Sequence, residues 1–315
     1  MSLEYWANFA VTLLQITFRL SVLYIIAAMG EVVLQRSGIF NVSIEGLMTI
    51  GAIVAYVTVI ATGSYFTSLF VAALIGIFLG VFLGLLTISL KMDQTLTGML
   101  MWIFGIGAGA LLYRIVFGVR AFPIVITKME SIEIPILSNI PVIGPSFFNQ
   151  NVILYIAYFL IVPATYFLLF KTTYGLKIRA VGENPRAADT LGIDVNLVRY
   201  LTFIFAGAME CLAGAYLLIV ETAVFTPWMV GGRGWITLQL VMFGRWSPPL
   251  IFIGSLLFAS VEALAYKFQL LYKFLPYQFL LMLPYITTII ALVAISRGAV
   301  WPRMLGIPYE REETR

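Results

Sequence analysis

Histidine is absent, cysteine occurs once, and charged side chains make up only 11% of the 315 residues. Each shortage excludes something. Without histidine the chain lacks the commonest general base near neutral pH and the commonest metal ligand. A lone cysteine, Cys211, rules out an internal disulfide and any multi-cysteine metal site. Set in an apolar stretch, it reads as a small packed side chain. No G-x-x-x-x-G-K-[ST] phosphate loop occurs, and no Gly-Lys dipeptide, so ATP binding by that route is excluded. HExxH and CxxC are missing, and no paired acidic cluster suggests hydrolysis. The expectation is therefore a non-enzyme with no catalytic residue, no metal and no cofactor.

What remains is apolar. Hydrophobic residues make up 61% of the chain and mean hydropathy is +1.00. A soluble domain would carry about 25% charged residues. Stretches long enough to cross a bilayer recur from end to end, so the chain reads as an all-α integral membrane protein of a single domain over 1–315. The net charge of +4 is no nucleic-acid signal, because the basic residues gather in short loops and the tail. The first residues, MSLEYW, lack a basic n-region, so no cleaved signal peptide is expected.

Spans are expected at about 10–34, 46–60, 67–90, 95–117, 152–170, 200–220, 250–267 and 276–296, with a short or re-entrant helix at 234–244 too brief to cross about 30 Å alone. That makes about nine membrane segments, with a range of about eight to ten. QRSGIFNVSIEG, residues 35–46, breaks the first run, with Asn41 or Ser43 available to cap the next helix and Glu45 in its first turn. Gly76, Gly80 and Gly84, then Gly105 and Gly109, make small-residue stripes on which a neighbouring helix can pack. The proline-rich stretch 118–150 reads as an external cap with one short interfacial helix. Loop charge places 171–199, the C-terminus, Arg36, Lys91 and Arg245 in the cytoplasm, with Lys128, Arg233, Lys267 and Lys273 as exceptions and the N-terminus outside. The order of elements in 10–117 recurs in 200–296 with opposite topology, the pattern of an inverted repeat.

The longest polar run between spans is Lys171 to Arg199, with five basic residues. Asn184 can N-cap, Pro185 suits the first helical position and Gly192 can terminate, which predicts a helix over 185–191 about 10 Å long. A rigid helix so placed reads as a cytoplasmic lever, and a merely solvated loop is its bland alternative. Within the spans, Arg19, Glu45, Glu210 and Glu262 are the ionisable groups, with Glu210 and Glu262 each isolated. An ion-coupled secondary transporter with inverted repeats would use one of them as its coupling site.

Three segments carry a resemblance. GEVVLQRSGIFNVSIEGLMTIGA, YGLKIRAVGENPRAADTLGIDV and GGRGWITLQLVMFGRWSPP resemble, in order and spacing, the permeases of ATP-binding-cassette importers of the nucleoside and simple-sugar branch, a branched-chain amino acid and ribose type. The resemblance implies a type II importer fold with inverted halves. It implies that Gly182, Glu183, Asn184, Pro185, Arg186, Ala187, Ala188 and Gly192 form a coupling helix docked on a cytoplasmic ABC ATPase, with Arg186 and Ala188 the positions to test. It further implies a second permease chain, homologous or identical, an external substrate-binding lipoprotein, a small-molecule substrate and a cell (plasma) membrane setting. Gln35 stands where the family has an acidic residue, Ser43 where it has glycine, and Trp235 and Gln239 also depart from its pattern. A nucleoside needs stacking surfaces and hydrogen-bonding groups, and Asn41, Glu45, Gln94, Trp102, Trp235 and Gln239 are the candidates along a substrate pathway. Their bland reading is packing or membrane-interface residues.

Overall fold

The computed structural model describes residues 3–120, 122–271, 277–295 and 301–310. Lys273, the outer ends of the expected 276–296 span and the last tail residues lie outside them. Seven helices are long and apolar enough to cross a membrane. They are α1 (Leu3–Arg36), α2 (Ile44–Thr62), α3 (Tyr65–Ser89) and α4 (Gln94–Phe117), then α6 (Val152–Lys171), α9 (Val195–Thr222) and α11 (Pro248–Leu271). Between them lie the short α5 (Ile143–Phe147), α7 (Thr173–Glu183), α8 (Pro185–Thr190) and α10 (Arg233–Phe243). Beyond α11 come α12 (Tyr277–Leu281) and α13 (Leu283–Ile295). The chain is thus a multi-pass helical membrane protein. The expectation of about nine segments also counted 234–244 and 276–296; among the described residues these form α10 and the pair α12 and α13, which are not among the seven.

The core forms around α9, the most buried of the seven, which packs along α3, α1 and α2. Lipid-like helix surfaces have no hydrophobic drive to associate in a bilayer, so close packing decides. The small-residue stripes supply it. Gly76 of α3 and Gly207 of α9 meet backbone to backbone, and a methyl group on either would overlap the other's carbonyl oxygen. Gly80 meets Phe203 and Gly84 meets the Tyr200 ring of α9. Gly105 of α4 is seated against Gly46 of α2 in the same way.

The two ends of α9 are dressed differently. At its C-terminal end, residues 118–150 fold over the helix. Ile126 N–H donates to Ala223 O at 2.9 Å and Met129 N–H to Ile219 O at 3.2 Å. A two-residue ladder, β1 (Ile132–Glu133) with β2 (Asn149–Gln150), and α5 complete this cap. Arg19, placed by sequence inside the first span, is ion-paired with Glu221 here at 2.7 Å.

At the N-terminal end of α9 sit α7, α8 and residues 301–310. The sequence reading made all of 171–199 outside the short helix a loop. The structure instead forms α7 there, started by Thr172, whose hydroxyl accepts from Gly175 N–H at 3.0 Å. The tail residues are strapped down. Met304 N–H donates to Gly182 O and Gly306 N–H to Gly38 O, both at 3.0 Å.

Candidate functional site

Two breaks interrupt the apolar runs, at 37–43 between α1 and α2 and at 223–232 between α9 and α10. The first is a buried polar knot. Asn41 Nδ2 donates to Glu31 at 3.1 Å and to Glu210 at 3.0 Å, while its Oδ1 accepts from Ser43 N–H at 3.0 Å and Ser43 Oγ at 2.6 Å. Neither Asn41 nor Ser43 caps α2: the Ser43 hydroxyl makes no bond to the helix and is turned to Asn41 instead. Gln35, which departs from the family pattern, donates to Glu31 at 2.7 Å and accepts from Trp246 Nε1 at 2.7 Å. The break is also tied to α9, through Ser37 with Thr202 at 3.0 Å and Arg199 Nε to Ser37 O at 3.3 Å.

The second break is glycine-rich. Glu45 does lie in the first turn of α2, yet its carboxylate serves a different helix. Its two oxygens accept from Gly232 N–H at 2.7 Å and Gly234 N–H at 2.8 Å, the unsatisfied donors that open α10. Gly232 has φ +85°, which a side chain rarely adopts, and a Cβ on Gly234 would press on the Glu45 backbone. The two breaks are therefore joined across the molecule by one carboxylate.

Glu210 and Glu262, read as isolated, both have partners, because helices distant in sequence bring them together. Glu262 holds Arg233 at 2.6 Å and also accepts from Tyr24 at 2.8 Å and Tyr266 at 2.9 Å. Glu31 was missed altogether. It sits in a long apolar run with no local polar neighbour except Gln35, and its other partner, Asn41, is brought to it by the turn of the chain at the first break.

The six residues proposed for a pathway divide into two groups. Asn41, Glu45 and Gln94 are buried pins. Gln94 accepts from Phe40 N–H at 2.8 Å, fixing α4 to the first break. Trp102 and Trp235 meet edge to face, with ring centroids 5.4 Å apart and planes at 90°. Such a pair contributes about 0.5–1.5 kcal/mol beyond its area. Trp102 Nε1 has no hydrogen-bond partner among the described residues. Trp235 and Gln239 line a cleft of about 390 Å³ together with Ile236, Tyr285, Thr288 and Ile289. Chemically the cleft offers aromatic edges, one amide and two hydroxyls, and no nucleophile.

The lever forms as the sequence predicts, one residue shorter. Asn184 Oδ1 accepts from Ala187 N–H at 3.1 Å, Pro185 opens α8, and Gly192 ends the turn at φ +80°. Its residues face two ways. Gly182, Pro185 and Ala188 are buried, Ala188 among Val181 and Val195. Glu183, Asn184, Arg186, Ala187 and Gly192 are exposed. Leu191, which the sequence reading did not single out, is 81% exposed. A Cβ on Gly182, in the last turn of α7, would overlap Arg36 O, so α7, which leads into the lever, lies directly on the first break. Tyr309 of the tail donates to Asp189 at 2.9 Å and Lys91 pairs with Glu310 at 3.0 Å, bracing the lever from below.

A family model described as branched-chain amino acid transport system / permease component matches residues 13–292. A guanosine ABC transporter permease of Bacillus subtilis is 32% identical over 90% of this chain and 92% of its own length. A nucleoside ABC transporter permease of Lactococcus lactis is likewise 32% identical over 90% and 92%. A putative glucose ABC transporter permease of Haloferax volcanii is 33% identical over 83% of this chain and 79% of its own length. No solved structure matches the chain. With a family match over nearly its whole length and relatives about a third identical over most of it, the chain belongs to the branched-chain amino acid transport system permease family and is a permease component of an ABC importer.

Proposed function

We propose that this permease, paired with a second permease chain, forms the pathway of a nucleoside or simple-sugar importer that a separate cytoplasmic ATPase drives through α8. The observation that carries the reading is the seat of the lever. α8 packs through Ala188 on Val181 of α7, and α7 touches Arg36 and Gly38 at Gly182 without a side chain between, so a push on α8 is passed through α7 to the 37–43 break. The break is joined through α2 and Glu45 to the N-terminus of α10, and α10 carries Trp235 and Gln239 in the cleft. Work received at α8 thus has a packed route to the cleft. The substrate class rests on the relatives, which are named for guanosine, nucleosides and glucose.

In this reading α7, α8 and the tail lie in the cytoplasm and the 118–150 cap lies outside, where a substrate-binding lipoprotein lands. Two inverted halves, each a long helix, a break and a following helix, would place the two breaks facing one another. Glu45 bridging them supports that plan.

The ATPase contact is the exposed face of the lever: Glu183, Asn184, Arg186, Ala187 and Leu191. Ala188 is a poor test position, since a bulky charge there would disturb the packing against Val181 and Val195. Ala187→Glu is the better probe. Co-purification of the ATPase and ATP-dependent uptake of labelled guanosine or glucose should be lost while the thermal midpoint of the permease is unchanged. Full ATPase recovery with this variant would overturn the docking assignment. Uptake by the permease alone on an ion gradient would instead favour an ion-coupled transporter.

A further inference from the structure

The knot at the first break has a feature that transport coupling does not use. Glu31 and Glu210 are both fully buried, on α1 and α9. One amide bridges their carboxyls, Asn41 Nδ2 lying 3.1 Å from Glu31 and 3.0 Å from Glu210. Between them they have four oxygens. Gln35 Nε2 serves one Glu31 oxygen, and the two Asn41 Nδ2 hydrogens serve one oxygen on each residue. The fourth, Glu210 Oε2, is buried and has no donor among the described residues. Two ionised carboxylates offer only acceptors, so they cannot bond to one another.

Among the described residues no cation is seen to stand in for the missing donor. On α1, Arg19 is paired with Glu221 at 2.7 Å, and Arg36 donates to Arg245 O and Trp246 O. On α9, Arg199 donates to Ser37 O and Ile307 O, and the Cys211 thiol donates to Leu47 O at 3.2 Å. Glu45 of α2 is occupied by Gly232 and Gly234, and Arg233 with Glu262 by each other. α3 carries no charged side chain. On α7, Lys177 and Arg179 lie over the rings of Tyr174 and Phe170. Two full negative charges bridged by one amide inside an apolar helix packing are strongly unfavourable, and one carboxyl keeps its proton instead.

We propose that Glu31 and Glu210 share one bound proton, seated at Glu210 Oε2, so that the pair carries a single negative charge and joins α1, the 37–43 break and α9. The proton supplies the donor that no side chain does. Its loss would set two charges against each other across the α1–α9 contact, next to the segment on which the lever rests. The inference depends on this geometry alone and stands or falls separately from the substrate and the ATPase contact.

Infrared spectroscopy of the full chain in lipid bilayers tests it. At neutral pH the wild type should show a protonated-carboxyl C=O stretch. Glu31→Gln and Glu210→Gln should each remove it, because the new amide N–H supplies the donor that the proton supplied. Thermal midpoints check that these near-isosteric variants fold. Should one fail to fold, wild type carrying isotope-labelled glutamate carboxyls gives the answer alone: the band must move with the label. A wild-type spectrum without the band, or a band retained in full by either single variant, overturns the shared proton.

Discussion

The two breaks meet the same difficulty by opposite means. Each interrupts an apolar helix and strands polar groups where water is scarce. At 37–43 the groups are satisfied by side chains: Asn41, Ser43, Gln35 and the two glutamates close on one another. At 223–232 the chain exposes backbone N–H groups and a single distant carboxylate, Glu45, receives them. The first solution is many-membered, and removing one member leaves several others unpaired. The second has one acceptor and two donors, so it can be weakened in steps. The difference teaches that the first break is the rigid body of the pair and the second its adjustable partner.

The comparison can be broken most severely at Asn41. Asn41→Ala should strip donors from both Glu31 and Glu210 and leave the Ser43 amide unserved, costing about 3–5 kcal/mol, read as a loss of folded yield and a lowered thermal midpoint. A cost below that of an ordinary surface change would show that the knot is not a unit. Next, Glu45→Gln keeps the shape and removes the charge at the α10 N-terminus. It should cost about 1.5–3 kcal/mol and reduce uptake while the thermal midpoint falls less than for Asn41→Ala. Equal falls for both variants would erase the distinction between the two breaks. The smallest expected effect is at the lever, where Asn184→Ala removes one cap bond. It should cost about 1 kcal/mol locally, seen as faster hydrogen exchange in α8 with the amides of α9 unaffected.

How much of this was legible depended on how far apart in sequence the partners lie. The lever was readable because its signals are local: a capping asparagine, a proline at the first position and a glycine at the end. The stripes of Gly76, Gly80 and Gly84 were readable as packing surfaces because four-residue spacing needs only a helix. α7 was not. TYGLKIRAVGE holds two glycines and four charged or polar positions, and its stability comes from lying on Arg36, Gly38 and the tail. Glu210 and Glu262 looked isolated because a carboxylate's partner leaves no mark near it. The Asn41–Glu210 bond spans 169 positions. Of the candidate pathway residues, Trp235 and Gln239 do line a cleft, while Asn41, Glu45 and Gln94 turned out to hold the architecture beside it.

The sequence by itself determined that the chain is a helical membrane protein, where its breaks fall, and that a capped helix lies in the polar run. Those properties follow from composition, from run length against bilayer thickness, and from contacts within a few residues. Only the tertiary structure decided which glutamates pair, which helix Glu45 serves, and that the lever's buried face packs through Ala188 on Val181 and Val195 while α7 rests on the first break. Charge and hydrogen-bond partners inside a helix bundle are chosen by which faces pack together, and that choice is made largely between different helices rather than within one.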